Sequence, residues 1–320
     1  MPPMLRYALT RLWQSMIAIV LSSILVFLGA RLLPGDPALA LAGEEATPER
    51  IAEARIQMGL DQPLWVQYVR FIERLFQGNF GQSFRTGASV KSMLATTIPV
   101  TVELALFAIL LAVLFGILFG AIAERCDGHW PSWLVSAIAV AGLSIPNFWL
   151  GMLAIQTLCV SLGWFPASGY VSPGENFGQS LYHLVLPASV LAFQLIASIT
   201  RQMKNSMKKT MGSDYIVTAN AKGLSPWRVL MRYGVRNSLG VVVTIVGLQL
   251  GGLLAGAVVT ESIFGLPGFG KMILDSVFSR DYPVIQVVVL IITITYTVIN
   301  FLVDLLYSFL DPRIKVGGRQ

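Results

Sequence analysis

The chain has 320 residues, of which 55% are hydrophobic and only 12% charged. A water-soluble domain of this length is far less apolar, so the composition excludes an ordinary globular fold in favour of several membrane crossings. The formal charge of +6 does not mark a nucleic-acid binder, because the surplus cations flank apolar runs, where membrane topology accounts for them.

The first predicted span covers residues 12–33, with Arg6 and Arg11 before it placing the N-terminus in the cytoplasm. Its apolar core is long and no small-x-small cleavage site follows, so it reads as a retained helix and not a signal peptide. Further spans are predicted at 100–123, 133–162, 181–199, 239–264 and 283–310, an all-α polytopic fold of six crossings with both termini inside. The third and sixth exceed a bilayer's thickness, which calls for tilt or protruding ends. Arg125, Arg201, Arg313, Lys315 and Arg319 fall on inner segments, whereas the two short outer segments carry only Lys271 and Arg280. Three regions follow: 1–33 as tail and first span, 34–98 as an extracytoplasmic insertion, and 99–320 as a five-span core.

Within the insertion, Thr47 and Pro48 open a predicted helix to Met58. Asp61 and Pro63 open another, in which Trp65, Val69, Ile72 and Phe76 recur at helical spacing. These helices form either an outer platform or a layer packed on the spans.

In the second span Gly116 and Gly120 form a G-x-x-x-G pair, as do Gly247 with Gly251 and Gly252 with Gly256 in the fifth, so neighbouring backbones can approach closely. Pro146, in SIPNFW, is expected to kink or interrupt the third span and free backbone carbonyls. Ionisable groups inside spans are costly and often functional. Glu103, Glu261 and Asp304 are the acids in question, and Pro146, Asn147, Gln249 and Glu261 are the candidate pore or gate residues. Cys126, Cys159, His129 and His183 form no disulfide framework or metal site.

Between the fourth and fifth spans lies a basic segment, 204–237, with Lys204, Lys208, Lys209, Lys222, Arg228, Arg232 and Arg236 against the single acid Asp214. A proline-free run from Tyr215 ends at Gly223, Ser225 can cap, and Pro226 suits a first helical turn. Two short helices around a turn would make a compact cytoplasmic knob.

The stretch GLPGFGK at 265–271 nearly spells a nucleotide-binding P-loop. It fails because Met272 stands where Ser or Thr must bind magnesium, no strand precedes it, and it lies outside the cell. It reads instead as a glycine-rich turn before a short amphipathic helix. No protease, hydrolase, haem or flavin signature is present, which argues against an enzyme.

Several stretches carry a family likeness: LPGDPA at 33–38, MGLDQPL at 58–64, SIPNFWLG at 144–151, DYIVTANAKGLS at 214–225, ESIFGLPGFGK at 261–271, RDYPVIQ at 280–286 and NFLVDLLYSFLDPRI at 300–314. In that order and spacing, the chain resembles the permease subunit of bacterial ABC importers of the dipeptide, oligopeptide and nickel family, the first of the two permeases. The resemblance makes the basic segment the family's EAA loop, which docks on a cytoplasmic ATPase. Val217, Thr218 and Ala219 occupy the EAA triplet and Gly223 its glycine; Tyr215, Lys222, Leu224, Arg228 and Arg232 complete the expected coupling set. Val241 replaces the family's usual proline, leaving the start of the fifth span less clearly broken.

The resemblance further implies a second homologous permease, two ATPases that hold ATP and magnesium, an extracytoplasmic solute-binding protein, and no cofactor or metal on this chain. It places the chain in the bacterial inner membrane and makes peptides the expected cargo, with glutathione or nickel chelates as alternatives. A self-sufficient ion-coupled carrier is the rival from another class, but it requires inverted repeats or buried titratable relays that do not stand out here.

Overall fold

The computed structural model describes residues 3–32, Ala38 and 47–310. Among them every regular element is helical, apart from an isolated bridge between Gln82 and Ser89. Five helices are long and apolar enough to cross a membrane, and a sharply bent pair makes a sixth if counted as one span. The stretch 33–37, the side chain of Asp304, and Arg313, Lys315 and Arg319 lie outside the described residues. The chain divides into two compact units, one of residues 1–100 with 267–308 and one of 101–266.

The first unit holds α1 (Pro3–Leu32), α2 (Pro48–Gln57), α3 (Leu64–Phe76), the start of α4 (Val90–Arg125), α11 (Phe269–Phe278) and α12 (Tyr282–Leu310). Its core gathers Val90, Leu94, Phe269, Met272, Val284, Val287 and Val288. Both insertion helices form where predicted, and the packing of α3 decides which of its faces is covered. Gln67 is buried, the Tyr68 hydroxyl lies 2.7 Å from Ser23 Oγ, and Tyr68 and Phe71 pack on the ring of Phe27, so this is the face that meets α1. The predicted apolar stripe points away: Trp65 is 71% and Phe76 90% exposed. An aromatic stripe in that position suits lipid or a partner better than a core.

A polar knot fixes the loop before α4. Asp281 is 3% exposed and sits just ahead of α12; its carboxylate accepts the Ser83 hydroxyl at 2.5 Å and the Phe84 amide at 3.1 Å. Ser83 Oγ in turn accepts the Thr86 amide at 3.0 Å. Burying a carboxylate is tolerable here because its oxygens meet donors.

The second unit is built around α7 (Phe177–Met211), which the Asn176 side chain caps by accepting the Gln179 amide at 3.1 Å. On it pack α5 (Trp130–Ser144), α6 (Asn147–Ala154) and α10 (Arg236–Ile263). The rest of α4 packs there too, with Gly116 and Gly120 against Ile199 and Met203. Of the predicted third span, α5 and α6 meet at Pro146 with a bend of 108°, and α6 continues as a wider π-helical turn through Ile155–Ser161. Pro146 lacks the amide that would have joined the two helices, and Ile145 is extended, as residues before proline prefer.

Two boundaries differ from expectation. α4 starts at Val90, accommodating Pro99 inside it, and α7 runs on to Met211, so Lys204, Lys208 and Lys209 lie on a helix and not in a loop. The reason is tertiary: Asp127, in the turn after α4, accepts Lys208 at 2.9 Å and lies 3.4 Å from Lys204, which also donates to Ser132 at 2.9 Å. The hydrogen bond from Lys208 holds the Asp127 carboxyl below the ordinary carboxylate range.

Candidate functional site

The basic segment folds as foreseen up to a point. α8 (Asp214–Ala221) ends at Gly223, whose φ of +73° puts it in the left-handed region. The Leu224 amide reaches back to the Ala219 carbonyl at 3.4 Å and the Gly223 amide to Asn220 at 2.9 Å, a Schellman closure that glycine alone adopts without strain. Gly223→Val is expected to lower the knob's stability by about 1–2 kcal/mol, visible as a lower midpoint when thermal unfolding of the purified permease is followed.

From Pro226 the helix α9 (Pro226–Val229) begins, but Ser225 makes no side-chain cap bond. α9 is also not a separate short helix. It passes through a π-helical turn, Leu230–Val235, directly into α10, making one helical run from Pro226 to Ile263. With Val241 in place of a proline, nothing interrupts it.

The expected coupling residues divide into anchors and surface. Ile216, Ala219 and Val229 form a small core with Leu224, Met211 and Tyr233 around it. Ala219 thus faces inward, where a larger side chain would part α8 from α9. Val217 is 68% and Trp227 65% exposed, Tyr215 and Met231 are exposed beside them, and Thr218, Lys222, Arg228 and Arg232 are exposed as well. Tyr215 is steadied by Asn237, which donates to its hydroxyl at 3.3 Å, and by the Tyr233 ring.

The candidate gate residues do not share one environment. Pro146 is exposed at the helix break, and the buried Oδ1 of Asn147 has no hydrogen-bond partner among the described residues. A side chain at Gly256 would come within 3.7 Å of the Asn147 amide nitrogen and 3.0 Å of Leu191, so Gly256 serves packing inside this unit. Gly247 is buried, Gly251 half-buried and Gly252 exposed. Gln249 is half-buried near Gly252.

Glu261 is both a candidate pore or gate residue and one of the costly acids within spans. It is fully buried and accepts the Thr101 hydroxyl at 2.6 Å, so it is closed off inside the unit. Glu103 likewise pairs, accepting the Tyr170 hydroxyl at 2.7 Å. Burial and that carboxylate push the Tyr170 hydroxyl up to about 12. His129 lies by the Asp127 carbonyl, and among the described residues no cluster could hold a metal ion. Asp281 and Asp127 escaped the sequence reading, since each finds its partners far along the chain.

Comparison with known proteins supplies the context for these elements. Residues 112–316 match the family model described as binding-protein-dependent transport system inner membrane component, and residues 4–105 match its N-terminal companion. A Brucella abortus protein named for a peptide transport system permease is 39% identical over 307 residues, covering 96% of this chain and 98% of its own length. The glutathione transport system permease proteins of Salmonella typhimurium and Escherichia coli are each 40% identical over 312 residues, covering 98% of this chain and 99% of their own. The likeness therefore runs from end to end, through the knob, the bent pair and the glycine-rich turn alike. It makes the chain a multi-pass permease of the inner membrane and not an enzyme: it belongs to the binding-protein-dependent transport system inner membrane components, as an ABC importer permease of the peptide and nickel family.

Proposed function

We propose that this chain forms half of the translocation pathway of a peptide importer, beside a second homologous permease, with both termini in the cytoplasm. Two ATPase subunits, which bind the ATP and magnesium, dock on α8 and α9, and an extracytoplasmic binding protein delivers cargo to the opposite face. The observation that carries the coupling role is the knob's division of labour. Its own core is satisfied by Ile216, Ala219 and Val229, yet Tyr215, Val217, Trp227 and Met231 stay exposed among Lys222, Arg228 and Arg232. Exposed apolar groups ringed by charge are what a groove on a partner would cover. Peptide cargo is supported by the relatives' names, glutathione being itself a small peptide.

Val217→Asp tests the coupling role, because this exposed side chain contributes little to the knob's fold. The permease pair is expected to reach the membrane while losing its ATPases on purification, with uptake falling at least about tenfold, the cost of one buried interface charge left unpaired. Retention of both ATPases and full uptake would sink the assignment. The ligand retained by the purified binding protein tests the cargo: a peptide upholds it, and a nickel chelate overturns it.

A further inference from the structure

The first unit contains a cavity of about 510 Å³ that the transport reading leaves unused. Its walls combine the ends of two spans with the insertion: Arg31 from the last turn of α1, Tyr282 and Gln286 from the start of α12, and Arg70 and Arg74 from α3. Among the described residues no acidic side chain lines it. Arg31 donates to Gln67 Oε1 at 3.0 Å and lies over the Phe27 ring, which fixes its guanidinium in place. Among the described residues Arg70 and Arg74 meet no carboxylate.

Two further polar groups are unusual. Tyr282 is 6% exposed, and its hydroxyl has no hydrogen-bond partner among the described residues; the same holds for the buried Nε2 of Gln286. Both residues line the cavity. A buried donor left unpaired costs about 1–3 kcal/mol, so such groups usually answer to something that arrives. Donors dominate the spare capacity, as guanidinium, phenol and amide groups, while the nearby acceptors Gln67 Oε1 and Asn79 Oδ1 are already engaged by Arg31 and Gly81. That chemistry fits an oxyanion.

We propose that this cavity binds the phosphodiester of an anionic membrane lipid. The location selects lipid among oxyanion carriers. Arg31 closes one span and Tyr282 opens another, so the cavity lies at headgroup depth. Phe71, Leu75, Phe80 and Val287 add apolar wall placed to meet glycerol and acyl carbons. The exposed Trp65 and Phe76 of α3 add the aromatic surface that settles at such an interface. The site stands whichever way the chain is oriented; the proposed topology assigns it to the outer leaflet.

The experiment uses the assembled transporter in nanodiscs of phosphatidylcholine with or without phosphatidylglycerol, reading retained lipid by native mass spectrometry and thermal unfolding in parallel. The intact protein is expected to retain phosphatidylglycerol at least about tenfold in preference to phosphatidylcholine, a difference of about 1.4 kcal/mol. The double variant Arg70→Gln/Arg74→Gln should abolish the preference, and Tyr282→Phe, which keeps the ring and its packing, should reduce it severalfold at unchanged yield. Equal retention of both lipids by the intact protein would overturn the proposal. Full protection by inorganic phosphate or by a free acidic peptide in place of phosphatidylglycerol would also overturn it, by assigning the cavity to another oxyanion.

Discussion

Replacing Gly120 by leucine is expected to remove the folded permease from the membrane, and Gly116→Leu to do the same. A Cβ at Gly120 would lie 2.6 Å from Met203 Cβ, 2.8 Å from its Cγ and 3.1 Å from the Thr200 carbonyl oxygen. At Gly116 it would lie 2.6 Å from both Cβ and Cγ2 of Ile199. These contacts are with the roots of side chains, which cannot swing aside, so α4 must retreat from α7. Lipid tails solvate a parted pair of helices as well as they solvate apolar side chains, so close packing is what holds the pair together. Overpacking typically costs about 1–3 kcal/mol per site, and two adjacent sites on one contact compound the loss. Even Gly116→Ala/Gly120→Ala should therefore lower yield and unfolding temperature. Gly240, with nothing within 4 Å of its would-be Cβ, is the control: Gly240→Ala should be neutral or slightly stabilising. Wild-type yield from the double alanine variant would show that the two helices do not depend on that approach.

The second large effect is expected at Asp281. Asp281→Ala would leave the buried Ser83 hydroxyl and the Phe84 amide without their acceptor, at about 1–3 kcal/mol for each group. Because both lie in the loop before α4, the loss should be local: residues 80–89 come free while the α7-centred unit stays folded. Arg85 is exposed in that loop and reports on it. Trypsin cleavage after Arg85 is expected to accelerate at least tenfold in Asp281→Ala, and less in Asp281→Asn, which keeps one acceptor oxygen. Unchanged cleavage would mean that other contacts hold the loop.

Much of the fold was readable because its signals are local. Gly223 and Pro226 punctuate the knob by backbone conformation alone, and Pro146 breaks its span by lacking an amide; each effect is complete within a few residues. The apolar runs located the spans for the same reason. What stayed hidden depends on partners distant in sequence. Lys208 extends α7 because Asp127 waits for it, and Asp281 matters because Ser83 folds against it. The stripe Trp65, Val69, Ile72 and Phe76 had the right period, but its destination could not be read. Periodicity shows that a helix has two faces, and only packing shows that Tyr68 and Phe71 occupy the inner one. Glu261 stayed open in a similar way, since an acid in a span signals cost without saying whether water or a threonine offsets it.

The unbroken helix from Pro226 to Ile263 has a mechanical meaning. At 1.5 Å per residue its 38 residues span about 57 Å, more than the full thickness of a bilayer with its headgroups. An α-helix resists bending over such a distance unless proline or a glycine pair weakens it; the position where a proline would act holds Val241, which leaves the adjacent Gly251 and Gly252 as the place where it gives most easily. A displacement imposed at Trp227 or Arg228 therefore travels as tilt or rotation of a stiff lever as far as that glycine pair. The π-helical turn at Leu230–Val235 lets that lever change its twist next to the knob, so one adjustment point sits at the cytoplasmic end and another, at Gly251 and Gly252, within the membrane-embedded length.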